Sequence, residues 1–283
     1  LIQVTLYWKP FANAQKYRIY RSPKVNDPAG QERLLAEVND SGMMLQSYLD
    51  TGSPTPAGLA PLPIGATGSW RLLTTAPLLT ARLGAGVAAA VDPTDATKWY
   101  LYAAGGNSGT PSAPTPLKSV EFLPITISNG GNTQTFTSFT AATSQLSSGR
   151  WLVGGLAATQ ANNSLITPAG ATYLYVASGS TTSITNLDGN IDVALVQSGG
   201  QLAAFGSAGS TGLRRPGYGS TLVNNQLMGF GGFGGAGAST NSDTATLKSA
   251  TSLNNFNALG NGALTQPRAL QGTAIESAFI YQL

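Results

Sequence analysis

Internal repetition is the strongest constraint on this 283-residue chain. Leu78-Leu-Thr-Ala-Arg82, Leu146-Ser-Ser-Gly-Arg150 and Leu264-Thr-Gln-Pro-Arg268 share a Leu-x-x-x-Arg frame, and Arg214 or Arg215 holds the place between them without the Leu. The arginines are spaced 68, then 64 or 65, then 53 or 54 residues apart. After each Arg comes a strand of small residues, then a hydrophobic strand, then glycine. The hydrophobic strands are Trp99-Tyr-Leu-Tyr-Ala-Ala-Gly105-Gly106, Tyr173-Leu-Tyr-Val-Ala-Ser-Gly179 and Leu227-Met-Gly-Phe-Gly231-Gly232, and Phe279-Ile-Tyr-Gln-Leu283 begins a fourth. A third strand follows. Leu117-Lys-Ser-Val-Glu121 and Leu247-Lys-Ser-Ala-Thr251 share a literal L-K-S, with Ile191-Asp192-Val-Ala-Leu195 as their counterpart. An aromatic residue (Trp70, Phe139, Phe205, Phe256) then precedes the next Arg by about a dozen residues.

A repeat of this length is one supersecondary unit whose apolar face is buried only by its neighbours. Four short strands per unit match a propeller blade, a twisted four-stranded sheet packed on the blades beside it. Burial on both faces explains near-continuous apolar strands and a charged fraction of only 10%. The expected fold class is all-β. At the Arg frame, the Tyr-Leu-Tyr-x-x-Gly-Gly strand and the following Val-Glu or Ile-Asp strand, residues 64–283 resemble the kelch-repeat family of β-propellers. The resemblance implies that the Gly-Gly strand is second in each blade and that the aromatic lies on the fourth, outermost strand. It also implies that a strand around Ile64–Leu73, carrying Trp70, completes the last blade and joins the ends of the ring. The chain then holds three blades and half of a fourth, truncated two residues before the expected Gly-Gly. Such an open half-ring exposes apolar faces and strand edges. The remainder of a longer polypeptide, the favoured reading, or another protein subunit is expected to complete it.

The first 50 residues differ in composition, holding 11 of the 27 charges. Pro and Gly are dense over 53–63, which reads as a linker. Before it, Ile2-Gln-Val-Thr-Leu-Tyr-Trp8 alternates as a strand does, placing residues 2, 4, 6 and 8 on one face. Lys16-Tyr-Arg-Ile-Tyr-Arg21, Arg33-Leu-Leu-Ala-Glu-Val38 and Gln46-Ser-Tyr-Leu-Asp50 are further short strands. With V-T-L-Y-W-K-P, N-A-Q-K-Y-R-I-Y-R-S and S-Y-L-D-T-G as the carrying features, residues 1–52 resemble the fibronectin type III family. The implied β-sandwich is incomplete, lacking the family's first strand and the long Tyr-rich strand after the S-Y-L-D-T-G turn. Trp8, Tyr17 and Tyr48 are expected to pack in its core.

The chain has no cysteine and no histidine. Ser-His-Asp and Cys-His chemistry is therefore closed to these residues, as are disulfides and thiolate metal sites. Copper oxidases that share the kelch propeller use histidine ligands and a cysteine-crosslinked tyrosine, and neither residue type is present. The reading is a protein that is not an enzyme and takes no cofactor. Net charge is +3, and only Arg214-Arg215 sets two basic residues side by side, so no nucleic-acid partner is expected. No apolar run reaches the ~20 residues of a membrane helix, so no span is expected. The opening Leu1 reads as a processed end or the start of a fragment.

Four features carry candidate chemistry. Asp188-Gly-Asn190-Ile-Asp192 opens like a calcium loop, but the Gly and Glu expected further on are Val193 and Gly199. Asp-Gly is also a hairpin turn pair, and the turn is the stronger reading. Gly229-Phe-Gly231-Gly-Phe-Gly234 spells G-x-G-x-x-G, yet a loop composition follows where a dinucleotide site needs a helix. Arg82, Arg150, Arg215 and Arg268 are candidates to line one end of a ring and bind anions. The favoured alternative is structural, with Glu121 and Asp192 as their partners. Asn39-Asp-Ser41 and Asn162-Asn-Ser164 match the N-glycosylation pattern. Together these readings predict a non-catalytic structural or adhesive component of an extracellular or particle-surface assembly, acting through protein–protein contacts. A secreted propeller that binds or processes surface glycans is the alternative.

Overall fold

The computed structural model describes residues 3–10, 14–24, 31–56, 58, 76–128, 133–159, 164–168, 170–183, 185–210, 215–223, 225–234, 237–259, 262–270, 273–276 and 279–282. Among them the chain is all-β, with no helix. Accordingly, no helix there is long and apolar enough to cross a membrane. The chain divides into two compact units, Leu1–Leu72 and Leu73–Leu283.

Among its described residues the first unit holds two antiparallel ribbons. Strand β1 (Val4–Trp8) pairs with β4 (Gln46–Asp50), and β2 (Lys16–Arg21) pairs with β3 (Arg33–Asn39). Trp8 meets Tyr17 edge-on at 5.2 Å between ring centroids, linking one ribbon to the other. Arg21 adds a second link from β2 to the Asp50 carboxylate on β4 and to the Pro54 carbonyl. The turn before β4 is closed by buried Gln46, whose amide donates to Asp40 Oδ1 at 2.7 Å and accepts from the Ser41 N–H at 3.1 Å. Val4 and Leu6, on the alternating face of β1, are exposed, and Tyr48 is half-buried.

Among its described residues the second unit contains three successive antiparallel sheets and two hairpins. The first sheet is β5 (Gly86–Val91), β6 (Lys98–Ala104), β7 (Val120–Ser128), β8 (Thr133–Phe136) and β9 (Thr140–Ala141), with β8 and β9 both on the outer edge of β7. The second is β10 (Gly154–Thr159), β11 (Thr172–Ala177), β12 (Asn190–Leu195) and β13 (Gly206–Ser210). The third sheet begins with β14 (Gly219–Val223) and β15 (Gln226–Phe230). A small hairpin, β16 (Phe233–Gly234) with β17 (Gly237–Ala238), leads into β18 (Ser242–Ser249). Strands β19 (Ser252–Leu253) and β20 (Asn257–Ala258) both pair with β18. A last hairpin joins β21 (Thr273–Glu276) and β22 (Phe279–Gln282).

The opening strands of consecutive sheets are neighbours: β5 lies beside β10, β10 beside β14, and β14 beside β21. Small residues allow this approach. A Cβ at Gly155 would come within 2.8 Å of the Val87 nitrogen, so only glycine fits there. The core consists of two layers. Ala88, Ala90, Tyr102 and Phe122 of the first sheet pack on Leu174, Val176 and Ala194 of the second. Tyr175, Ile191 and Val193, on the opposite face of that sheet, pack on Leu227, Ala245 and Leu247 of the third. The second sheet is thus buried on both faces, which is why its strands read as unbroken apolar runs.

The tyrosines of the Tyr-Leu-Tyr strands tie sheets together. The Tyr102 hydroxyl donates to the Gly200 carbonyl in the second sheet at 2.9 Å. Tyr175, at the equivalent place, donates to the Ala250 carbonyl in the third at 2.6 Å. Asp92 clasps the same first junction, accepting from the Tyr100 hydroxyl at 2.5 Å and the Gly199 N–H at 3.0 Å. Burial opposes ionisation of Asp92, but hydrogen bonds from Tyr100, Gly199 and Thr94 outweigh it and hold its carboxyl below the ordinary range.

The glycine-ended strands β6, β11 and β15 are second in their sheets. Phe139, Phe205 and Phe256 immediately precede β9, β13 and β20, which lie on the outer side of the third strand. One sequence alignment is corrected. Leu117-Lys-Ser precedes β7, whereas Leu247-Lys-Ser lies at the far end of β18, so the two L-K-S runs are not equivalent. Chance identity of three residues outweighed the true register. Trp70, the strand expected around Ile64–Leu73, Arg214 and Asn162-Asn163 lie outside the described residues.

Replacing Tyr175 by Phe removes the hydroxyl that satisfies the buried Ala250 carbonyl. A loss of about 1–2 kcal/mol is expected in urea unfolding. Tyr173→Phe, whose hydroxyl bond is solvent-exposed, is expected to cost less than about 0.5 kcal/mol.

Candidate functional site

The repeated arginines form one recurring corner. Each of Arg82, Arg150 and Arg215 lies four residues ahead of the opening strand of its sheet. Each reaches across to a carboxylate on the third strand. Arg82, with its side chain fully buried, pairs with Glu121. It also donates to the carbonyls of Gly105 at 2.7 Å and Ser119 at 3.0 Å. Arg150, equally buried, pairs with Asp192 and donates to the Asn190 carbonyl at 2.7 Å. Arg215 pairs with Asp243 at 3.2 Å. Backbone amides complete the carboxylates: Leu79 N–H donates to Glu121 at 2.8 Å, and Ser147 N–H to Asp192 at 2.9 Å.

The acids are equivalent by strand register as well. Glu121 lies opposite Ala141, Asp192 opposite Ser207 and Asp243 opposite Ala258. Each partner is two residues past Phe139, Phe205 or Phe256, so the aromatic, the acid and the Arg recur as a unit. Desolvating these charges is costly, and the close pairing with added hydrogen bonds offsets that cost.

A second regularity begins two residues after each Arg. Gly84, Leu152, Gly217 and Leu270 all have left-handed backbones, with φ of 65°, 56°, 68° and 61°. They are chained by hydrogen bonds. The Leu152 N–H donates to the Gly84 carbonyl at 2.6 Å, Gly217 N–H to Leu152 at 2.7 Å, and Leu270 N–H to Gly217 at 2.7 Å. This relay identifies Arg215, not Arg214, as the third member of the series. Leucine in this conformation costs roughly 1–3 kcal/mol, so the surrounding junction must impose it.

The glycines after the second strand serve the same junction. Gly106 N–H donates to the Arg150 carbonyl at 2.9 Å, and Gly232 N–H to the Arg268 carbonyl at 2.8 Å. A Cβ at Gly105 would lie 2.6 Å from the Arg150 oxygen, and Gly105 and Gly231 both have positive φ. In the second sheet Ser178 and Gly179 take these two places, again with positive φ.

Around the relay lies a cavity of about 450 Å³, walled by Leu83, Trp151, Leu152, Tyr218, Phe233 and Leu270, among others. Its lining is mainly apolar. Beneath it, Asp243 shares a buried cluster with Arg215 and Tyr218. Burial pushes the Asp243 carboxyl up to about 6, against the pull of Arg215. The Tyr218 hydroxyl and Arg215 Nε have no hydrogen-bond partner among the described residues.

The other sequence candidates are placed as follows. Asp188 accepts from Asn190 N–H at 2.8 Å, the geometry of an Asx turn. Its other oxygen accepts from Ser148 and faces Arg150 at 3.6 Å. Asp192 is taken by Arg150 and Ser147, so a guanidinium stands where a calcium loop would hold its cation. Among the described residues no group of three or more His, Cys, Asp or Glu is arranged to hold a metal. Gly229 lies in β15 and Gly231 directly after it, and the strands β16 to β18 follow rather than a helix. A Cβ at Gly229 would meet Asp243 Oδ1 at 2.6 Å, so this glycine makes room for the buried acid. Arg268 is exposed, with its carbonyl engaged by Gly232.

Asp243 and the relay residues were not legible in the sequence. Asp243 lies four residues before the misleading L-K-S, and the relay position alternates between Gly and Leu. Comparison with protein-family models gives no match. Comparison with curated proteins gives none either.

Two outcomes are expected. Arg150→Met leaves Asp192 buried without its cation and is expected to cost about 3–5 kcal/mol in chemical denaturation. For Asp243, the folded state keeps a proton that the unfolded chain, with an ordinary value of 3.8, has released. Its contribution to stability is therefore greatest at low pH and falls as pH rises between about 4 and 6. Asp243→Asn is expected to abolish that fall, measured as the difference in thermal midpoint between variant and parent across the window.

Proposed function

We propose that residues 64–283 are successive kelch-like propeller blades, the fourth truncated, within a structural or adhesive component of an extracellular assembly, such as an appendage, filament, cell coat or phage particle. Residues 1–52 serve as a fibronectin type III-like spacer or docking module. The observation that carries this reading is the fate of the ionic groups. Arg82, Arg150, Glu121 and Asp192 are bound to one another and to backbone atoms, so they hold the frame. A charged fraction of 10% supports it further, because such a surface repels its neighbours weakly and suits dense packing.

The glycan-binding alternative requires exposed aromatic platforms. Among the described residues Trp151 is only 3% exposed and Trp8 and Trp99 are half-buried, while the exposed rings, Tyr7 and Phe136, belong to different units, which favours the structural reading. Fractionation of native material tests it. The protein is expected to travel with a high-mass extracellular particle and to resist salt washing. A freely diffusing monomer with catalytic turnover would reject the proposal.

A further inference from the structure

The left-handed position of the relay is filled in turn by Gly84, Leu152, Gly217 and Leu270. Glycine adopts this conformation freely, and it holds the first and third places. Leucine there is strained, so the turn itself does not account for leucine at the second and fourth. What the leucines add is a wall. A Cβ at Gly84 would lie 2.8 Å from Leu152 Cδ2, and a Cβ at Gly217 would lie 3.0 Å from Leu270 Cδ2. Each leucine side chain is thus laid against the glycine before it. Both pairs line the cavity of about 450 Å³, a volume within the roughly 300–1,000 Å³ usual for small-molecule sites.

The rest of the lining is held in place by the fold. Trp151, Leu152 and Tyr218 are buried, whereas Leu83 and Leu270 are exposed, so the cavity has a closed wall and an apolar rim. Pro111, another lining residue, sits on the segment after β6, which buried Asn107 pins. The Asn107 side chain accepts from Gly109 N–H at 2.9 Å and Thr115 N–H at 2.6 Å, and donates to the Thr110 carbonyl at 3.1 Å. Among the described residues no charged side chain lines the cavity. The guanidinium groups of Arg82, Arg150 and Arg215 are turned to the carboxylates of the third strands. An ionic ligand would lose its hydration here without meeting a counter-charge. An uncharged apolar ligand would exchange water for contact with rings and leucines.

We propose that this cavity is a binding site for a small, uncharged molecule with a fused-ring or aromatic body, held between Leu152 and Leu270 with Trp151, Tyr218 and Phe233 around it. Those three rings favour a flat apolar ligand, which gains contact area with each while losing little conformational freedom. The glycines of the relay leave the space, and the leucines bound it. This binding activity goes beyond the assembly role and stands independently of it.

Fluorescence titration of the full chain with N-phenyl-naphthylamine, a neutral fused-ring probe, tests this. The parent is expected to bind it saturably, with a single site per chain and a micromolar Kd. Anilinonaphthalene sulfonate carries the same rings with a negative charge, and is expected to bind about tenfold more weakly or worse. Ala85→Phe, which fills the cavity, and Leu83→Asp, which charges its rim, are each expected to weaken binding of the neutral probe about tenfold or more. Leu270→Gly keeps the left-handed turn and removes the wall. It is expected to weaken binding without lowering the thermal midpoint, a combination that a purely structural leucine would not give. That variant decides the matter if Ala85→Phe fails to fold. Val87→Asp and Met44→Asp, at exposed apolar sites outside the cavity, are expected to leave binding unchanged. A parent that shows no saturable binding overturns the proposal. So does binding that survives Leu270→Gly and Leu83→Asp, or that is lost at Val87 or Met44 instead. Equal affinity for the sulfonate would overturn the assignment of an uncharged ligand.

Discussion

A buried arginine paired with a carboxylate is the interaction on which each repeat depends. The guanidinium stands at the entry to the sheet and the acid on its third strand, so the pair fixes strands that are not hydrogen-bonded to each other. The fork geometry of arginine lets one side chain satisfy a carboxylate and two carbonyls together. Arg82 makes all three of these contacts, Arg150 binds Asp192 and the Asn190 carbonyl, and Arg215 makes the ion pair. Ionic groups that in another protein would face a substrate are here placed inside the frame.

From that corner the chain turns into the left-handed residue that links one repeat to the next. The four residues of the relay, the glycines after the second strand and the tyrosines of the Tyr-Leu-Tyr strands act at different depths of the same junctions. Backbone bonds set the spacing of the opening strands, and apolar side chains fill the layers between sheets. The reaching tyrosine hydroxyls then close polar groups that would otherwise be buried alone. Stacking of this kind makes stability a property of neighbours, as in other repeat arrays. Leu152, flanked by a repeat on each side, is accordingly buried despite its position at a junction.

Much of the fold was legible because burial on two faces leaves a strong pattern. The Tyr-Leu-Tyr runs, the glycines after them and the recurring Arg could be aligned by eye, and they locate second strands and sheet entries. The aromatic before the outer strand was visible for the same reason. What escaped notice was whatever depends on backbone conformation rather than on residue type. Gly84 and Leu152 share a φ region and a hydrogen-bond role but no side-chain chemistry. Asp243 was hidden by a different effect: a literal match at Leu247-Lys-Ser drew the alignment away from the acid. Arg214 and Arg215 were indistinguishable until the relay at Gly217 chose between them.

Backbone amide exchange at Leu152 and Gly217 is the most direct measurement of whether these corners hold the repeats together. Their amides donate across junctions rather than within a sheet, so they report the junction alone. If the corners are as integral as the geometry indicates, both amides open only with the sheets. They then exchange as slowly as Val176 and Ala245 in the buried central strands. Exchange at the rate of the exposed turn at Gly42 would show that the sheets stand independently and that the corners do not bind them.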